Sequence, residues 1–167
     1  MYKSQQKGFT LVELLVVIAI IAVLAGVVLV AINPTALLAK SRDSARLQDI
    51  DNLNKAITLA LADNEVTLAS TASCTTCDSL SGTQAVSGSG WVTFTIPTGK
   101  TGLSKFLATL PRDPTNTGAY VYSYASDGSS FELNIALESV DNAAKMTTDG
   151  GDNDAAFELG TSLTLLN

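Results

Sequence analysis

The chain contains no histidine, and its only cysteines are Cys74 and Cys77. The first absence removes imidazole acid–base catalysis, histidine-based triads and the commonest nitrogen ligand of zinc, so no enzymatic activity is expected. Cations are scarce too: ten Lys and Arg stand against sixteen Asp and Glu, a formal net charge of −6. Nucleic-acid affinity draws largely on clustered Lys and Arg, and here those beyond the first eight residues are few and interleaved with acids. The C-terminal part is therefore not expected to bind nucleic acid by itself. Aromatic residues are missing altogether between Phe9 and Trp91.

What the N-terminus has is apolar length. From Phe9 to Ile32 run 24 residues whose one charge is Glu13. As a helix they reach about 36 Å, enough to cross a hydrocarbon core of about 30 Å. A secretory signal would have a shorter apolar stretch ending in an Ala-x-Ala-type cleavage site, which this sequence lacks. Lys3 and Lys7 on the short flank hold that end in the cytoplasm, so the rest of the chain is expected outside. A carboxylate inside a membrane is costly, about 2.5–3.5 kcal/mol at the bilayer centre and less near an end, so Glu13 calls for compensation.

Lys7-Gly8-Phe9-Thr10-Leu11-Val12-Glu13, leading into that helix, resembles the cleavage motif of bacterial type IV prepilins and pseudopilins. The resemblance implies that prepilin peptidase cuts after Gly8, that the new N-terminal amine on Phe9 is methylated, and that the helix stays on the mature protein. It also implies that Glu13 pairs with the Phe9 amine of a neighbouring subunit and so sets axial register. A glycine suits the cut, because without a Cβ the scissile backbone stays accessible. The bland alternative for Glu13 is a carboxylate that snorkels to the interface without a partner. An electron-conducting filament is not expected, since the helix offers no closely spaced rings.

Asn33-Pro34 interrupts the apolar run, and a kink or local unwinding is expected there because proline lacks the N–H of an interior helical residue. Periodicity then resumes through Leu47, Ile50, Leu53, Ile57 and Leu61 at spacings of three and four, an amphipathic helix expected to end near Leu68. Its other face carries Asp43 with Arg46 and Asp51 with Lys55, read here as solvated pairs worth a few tenths of a kcal/mol each. Ala31-Ile32-Asn33-Pro34 and Ser41-Arg42-Asp43-Ser44-Ala45-Arg46 are similar to the corresponding segments of many pilins.

Residues 69–90 are rich in Ser, Thr and Gly and read as a loop. Cys74-Thr75-Thr76-Cys77 lies in it. Zinc lacks two further good ligands, and a thioredoxin-type motif would need a strand-to-helix junction, so a disulfide is favoured for a head outside the cytoplasm. Beyond the loop, Trp91 to Ile96 alternates as a strand, and Leu103, Phe106, Leu107 and Leu110 fall at helical spacing. Tyr120–Tyr124 and Phe131–Leu137 flank Asp127-Gly128, a strong hairpin signal. Further strands are expected in Ala155–Leu159 and Ser162–Leu166. The tyrosines are read as a sheet face packed with rings whose hydroxyls reach water.

These elements make an α+β protein, a long N-terminal helix packed on an antiparallel sheet of three to five strands. Its parts are a leader (1–8), a membrane or filament-core helix (9–32), an amphipathic helix (33–68), a loop (69–90) and a β-rich head (91–167). Leu110-Pro111-Arg112-Asp113-Pro114 resembles the Leu-Pro-x-Asp-Pro segment of type II secretion major pseudopilins and small pilins, with Thr115-Asn116 where the secretion proteins usually have Trp-Gly. In Asp149-Gly150-Gly151-Asp152-Asn153-Asp154, four oxygen-bearing side chains lie beside two glycines, a composition that suits calcium, although EF-hand spacing is absent. Resemblance to the secretion pseudopilins implies Asp149, Asp152 and Asp154 as ligands; the alternative is an ordinary acidic turn.

The family resemblance implies further partners: other copies in a helical homopolymer, the membrane, and the inner-membrane assembly platform of a pilus or of type II secretion. Two functions share every N-terminal residue: a structural pilus subunit, and a pseudopilin acting in protein export. A membrane-anchored binding or enzymatic domain has no use for Gly8-Phe9 or for Glu13.

Overall fold

The structure, a computed structural model, describes residues 8–166, so the leader apart from Gly8 lies outside the described residues. The chain divides into two compact units, one up to Leu38 and one from Ala39 onward.

In the first unit, α1 (Leu11–Ile32) is apolar around its whole circumference and exposed along its length. Its Leu11–Val30 stretch is long and apolar enough to cross a membrane. A helix of this kind is stable only in apolar surroundings. It ends at Asn33, which takes a left-handed conformation (φ 44°), and α2 (Pro34–Ala62) begins at once with proline in the first turn, where a missing N–H costs nothing. The Asn33 side chain accepts from Ala36 N at 3.4 Å and from the Thr35 hydroxyl at 2.7 Å, so one residue closes α1 and caps α2.

The second unit is built on the rest of α2. Ile50, Leu53, Ile57 and Ala60 form its buried stripe. Against them pack Tyr122 and Tyr124 of β3 (Tyr122–Ser126) and Phe131, Leu133 and Ile135 of β4 (Phe131–Ile135). With β5 (Phe157–Gly160) these form an antiparallel sheet of order β3-β4-β5. The Asp127-Gly128 hairpin forms as the sequence indicates: Tyr124 faces Leu133, Gly128 has φ 94°, and Asp127 Oδ1 accepts from the amides of Ser129 and Ser130.

Four expectations need correction. The amphipathic helix stops at Ala62 rather than Leu68, because Asn64 turns left-handed (φ 52°) and Thr67–Leu68 becomes β1, paired with β2 (Phe94–Thr95). The strand expected over Trp91–Ile96 shrinks to that β2, since Trp91 and Val92 are both buried and the indole N–H is turned to Pro111 O at 3.0 Å. The helix expected through Leu103–Leu110 is only a 3-10 turn at Gly102–Lys105. Ser162–Leu166 is not a strand; the amides of Leu165 and Leu166 go instead to the Glu132 carboxylate. A short α3 (Ala143–Met146) had no counterpart in the sequence reading.

Candidate functional site

The processing segment lies at the start of the first unit. Among the described residues, no heavy atom lies within 4 Å of where a Cβ on Gly8 would stand, and Phe9 is 84 % exposed. The Gly8–Phe9 bond is thus open to an enzyme. Directly after it, Thr10 caps α1: its hydroxyl oxygen accepts from Glu13 N at 3.3 Å, while its own N–H and O–H donate to Glu13 Oε2 at 3.0 and 2.8 Å. This is a Thr-x-x-Glu capping box, in which two otherwise orphaned donors are satisfied reciprocally.

Glu13 is therefore not without a partner within one subunit. Its carboxylate is held at the helix N-terminus, where the macrodipole favours a negative charge. The sequence carries the motif as Thr10-x-x-Glu13, in addition to the membrane cost of the glutamate. Both capping bonds use the same oxygen, Oε2.

In the second unit, the largest departure from expectation is the Asp43–Arg46 pair. Both side chains are fully buried, not solvated. The Arg46 guanidinium forms a two-pronged pair with Asp113, Nε to Oδ2 at 2.6 Å and Nη2 to Oδ1 at 3.0 Å, and reaches Asp43 Oδ1 at 3.0 Å and the Thr115 hydroxyl at 2.9 Å. Tyr120 lies under it, 4.8 Å from the ring centre. Asp43 in turn accepts from the amides of Glu138 and Ser139 and from the Asn142 side chain. Burial alone would raise both carboxyls. For Asp43 the bonds from Glu138, Asn142, Ser139 and Arg46 outweigh it, and for Asp113 the bonds from Arg46, Asn116 and Thr115 do, so both sit below the usual carboxylate range.

Asp113 belongs to the Leu110-Pro111-Arg112-Asp113-Pro114 segment. Its Oδ1 also accepts from the amides of Thr115 and Asn116. Asn116 has φ 48°, a conformation that glycine adopts freely and asparagine tolerates. By contrast Asp51 and Lys55 pair at the surface, as the sequence suggests.

The hydroxyls of Tyr122 and Tyr124 do not reach water, while Tyr120 is half-buried. Tyr122 is fully buried and donates to Asp49 Oδ2 at 2.9 Å, and burial pushes its ionisation well up. Tyr124 is equally enclosed, and burial pushes it up to about 12.

Cys74 and Cys77 are joined in a disulfide. Asp149, Asp152 and Asp154 do not converge: Asp149 accepts from the amides of Gly151 and Glu158 at 3.0 and 2.8 Å, while Asp152 and Asp154 are exposed. Among the described residues no group of three His, Cys, Asp or Glu is placed to hold a metal. In this arrangement the donor set named from the sequence is dispersed, with Asp149 closing the loop through two amides. Beside that loop, Glu158 is buried next to Glu132, and burial together with that neighbour raises it to about 7.

Residues 3–29 match the family described as the prokaryotic N-terminal methylation motif. The match supports a type IV pilin-like or pseudopilin-like protein, processed by prepilin peptidase. No curated protein and no solved structure matches the chain.

Proposed function

We propose that this protein is the structural subunit of a type IV pilus-like filament outside the cytoplasm. The observation that carries the proposal is the N-terminal constellation: an open Gly8–Phe9 bond, a carboxylate at Glu13, and a bare apolar helix behind them within a methylation motif. Cleavage there creates an amine on Phe9, four residues before Glu13. Within one subunit Glu13 Oε2 is engaged by Thr10, and the carboxylate's other oxygen can meet the amine of the next subunit. In a medium of low dielectric such a pair is strong and position-specific, so it fixes how far a new protomer rises before it locks. The exposed apolar surface of α1 then packs on its copies. The chain is assigned no catalytic role, and its working partners are its own copies and the membrane platform that assembles them.

A second reading, a pseudopilin of type II secretion, is favoured by one observation. The Leu-Pro-x-Asp-Pro segment supplies Asp113 to the buried Arg46, and Asn116 keeps the left-handed conformation at the position where those proteins have glycine. Both readings use the same N-terminal mechanism.

A pair of variants tests that mechanism. Glu13→Ala should be inserted and cut normally, since losing a charge eases membrane entry, yet should yield no sheared filaments. Thr10→Ala removes only the cap and should cost about 1 kcal/mol of helix stability while still assembling. If Glu13→Ala polymerised like wild type, or if Thr10→Ala failed equally, the register role of Glu13 would be wrong and its capping role would suffice.

A further inference from the structure

The outward edge of β3 is not open. Residues 71–79 lie along it and take its main-chain groups one after another: Thr71 N donates to Ser126 O at 2.8 Å, Tyr124 N donates to Cys77 O at 2.9 Å, and Ser79 N donates to Tyr122 O at 2.8 Å. The remaining outward amides go to side chains of the same segment, Ser126 N to the Thr71 hydroxyl and Tyr122 N to the Ser79 hydroxyl, each at 2.9 Å. An exposed strand edge is a template for pairing with other chains, and covering it with a loop is one way proteins blunt it.

The covering segment has little else to hold its middle. Ala72, Ser73, Thr75 and Thr76 are exposed, and of residues 72–76 none belongs to the buried core. Its two attachments, at Thr71 and at Cys77 to Ser79, are linked across that exposed stretch by the Cys74–Cys77 disulfide. Cys74 N also donates to Thr71 O at 2.8 Å, which ties the first cysteine to the first attachment.

We infer that the Cys74–Cys77 disulfide is a redox latch on this edge guard: closed, it holds residues 71–79 along β3, and opened, it lets them leave and exposes the outer edge of the strand. Opening needs a dithiol reductant, which supplies two electrons and two protons. The S–S bond breaks, Cys74 and Cys77 become thiols, and the reductant is oxidised to its own disulfide. In an oxidising compartment the latch stays closed. This inference is independent of the filament assignment, because it concerns only the head.

The sheet contains its own control. Strand hydrogen bonding alternates along an antiparallel pair, so the amides of Tyr122, Tyr124 and Ser126 face the guard while those of Ser123 and Ala125 face β4. Amide hydrogen exchange on the full chain in detergent micelles, before and after treatment with dithiothreitol, reads the two sets separately. Reduction should speed exchange at Tyr122, Tyr124 and Ser126 by about tenfold or more and leave Ser123 and Ala125 unchanged, as expected for a local opening. The double variant Cys74→Ser with Cys77→Ser should show the fast pattern without reductant. Equal rates in oxidised and reduced protein would overturn the latch. So would acceleration of all five amides together, which would make the disulfide a general stabiliser of the fold.

Discussion

The two units of this chain treat charge and apolar surface in opposite ways. Among the described residues up to Leu38 the large apolar side chains are exposed and the one carboxylate sits at the helix end, engaged by Thr10. From Ala39 onward most large apolar side chains are enclosed and several charges are enclosed with them, Asp43, Arg46, Glu132 and Glu158 most completely. The first unit leaves its apolar surface to be covered from outside; the second is finished by its own residues. Substitutions in α1 should therefore show up in assembly, and substitutions in the head should show up in melting.

Arg46→Met gives the largest expected effect on the head. It leaves Asp43 and Asp113 buried without their cation, and breaking one side of a buried pair typically costs about 3–5 kcal/mol. Denaturant melts of the full chain in micelles should show that loss, and a loss below about 1 kcal/mol would mean that the cluster is wet and weak, as exposed pairs are. The result also bears on the comparison between units, because an assembly defect without a melting defect would place Arg46 at a contact between subunits.

The pH dependence follows from the same groups. Asp43 and Asp113 are held below the usual carboxylate range. Their contribution is present above the ordinary value of about 4 and is lost as pH falls through the lowered ones. Glu158 has the opposite sign. Raised to about 7, it binds its proton more tightly when folded, so its contribution is full below the ordinary glutamate value and is lost as pH rises toward 7. Head stability should therefore peak in mildly acidic buffer and fall on both sides. A stability that kept rising through pH 7 would contradict the burial of Glu158.

The smallest expected effect is that of calcium. Asp149 is committed to the amides of Gly151 and Glu158, so millimolar calcium should leave the melting temperature unchanged within about 1 °C, where a saturating ligand would add several degrees. A clear rise, abolished by Asp152→Ala, would establish the Asp149, Asp152 and Asp154 site in a rearranged loop.

Much of this architecture is legible along the chain, because its signals are local. The break at Asn33-Pro34, the stripe of Ile50, Leu53 and Ile57, and the Asp127-Gly128 hairpin each rest on residues a few positions apart. The Asp43–Arg46 pair misleads for the same reason. At i and i+3 it looks like a solvated helix pair, and only Asp113, 67 residues from Arg46, makes it a buried cluster. Thr67–Leu68 looks like the end of the helix for a related reason, since its partner strand, Phe94–Thr95, also lies well beyond the reach of local pattern. In the candidate site, Gly8, Phe9 and Glu13 stand out through the resemblance of residues 7–13 to the prepilin motif, and the Thr10-x-x-Glu13 spacing of a capping box overlies them.

The central claim is that this chain is cut between Gly8 and Phe9 and works as the remaining protein. Mass spectrometry of material sheared from the cell surface tests it most directly. The account predicts an N-terminal Phe9 carrying one added methyl group, with Gly8→Leu leaving an uncut precursor in the membrane. Assembled protein that begins at Met1, or beyond Ile32, would contradict it.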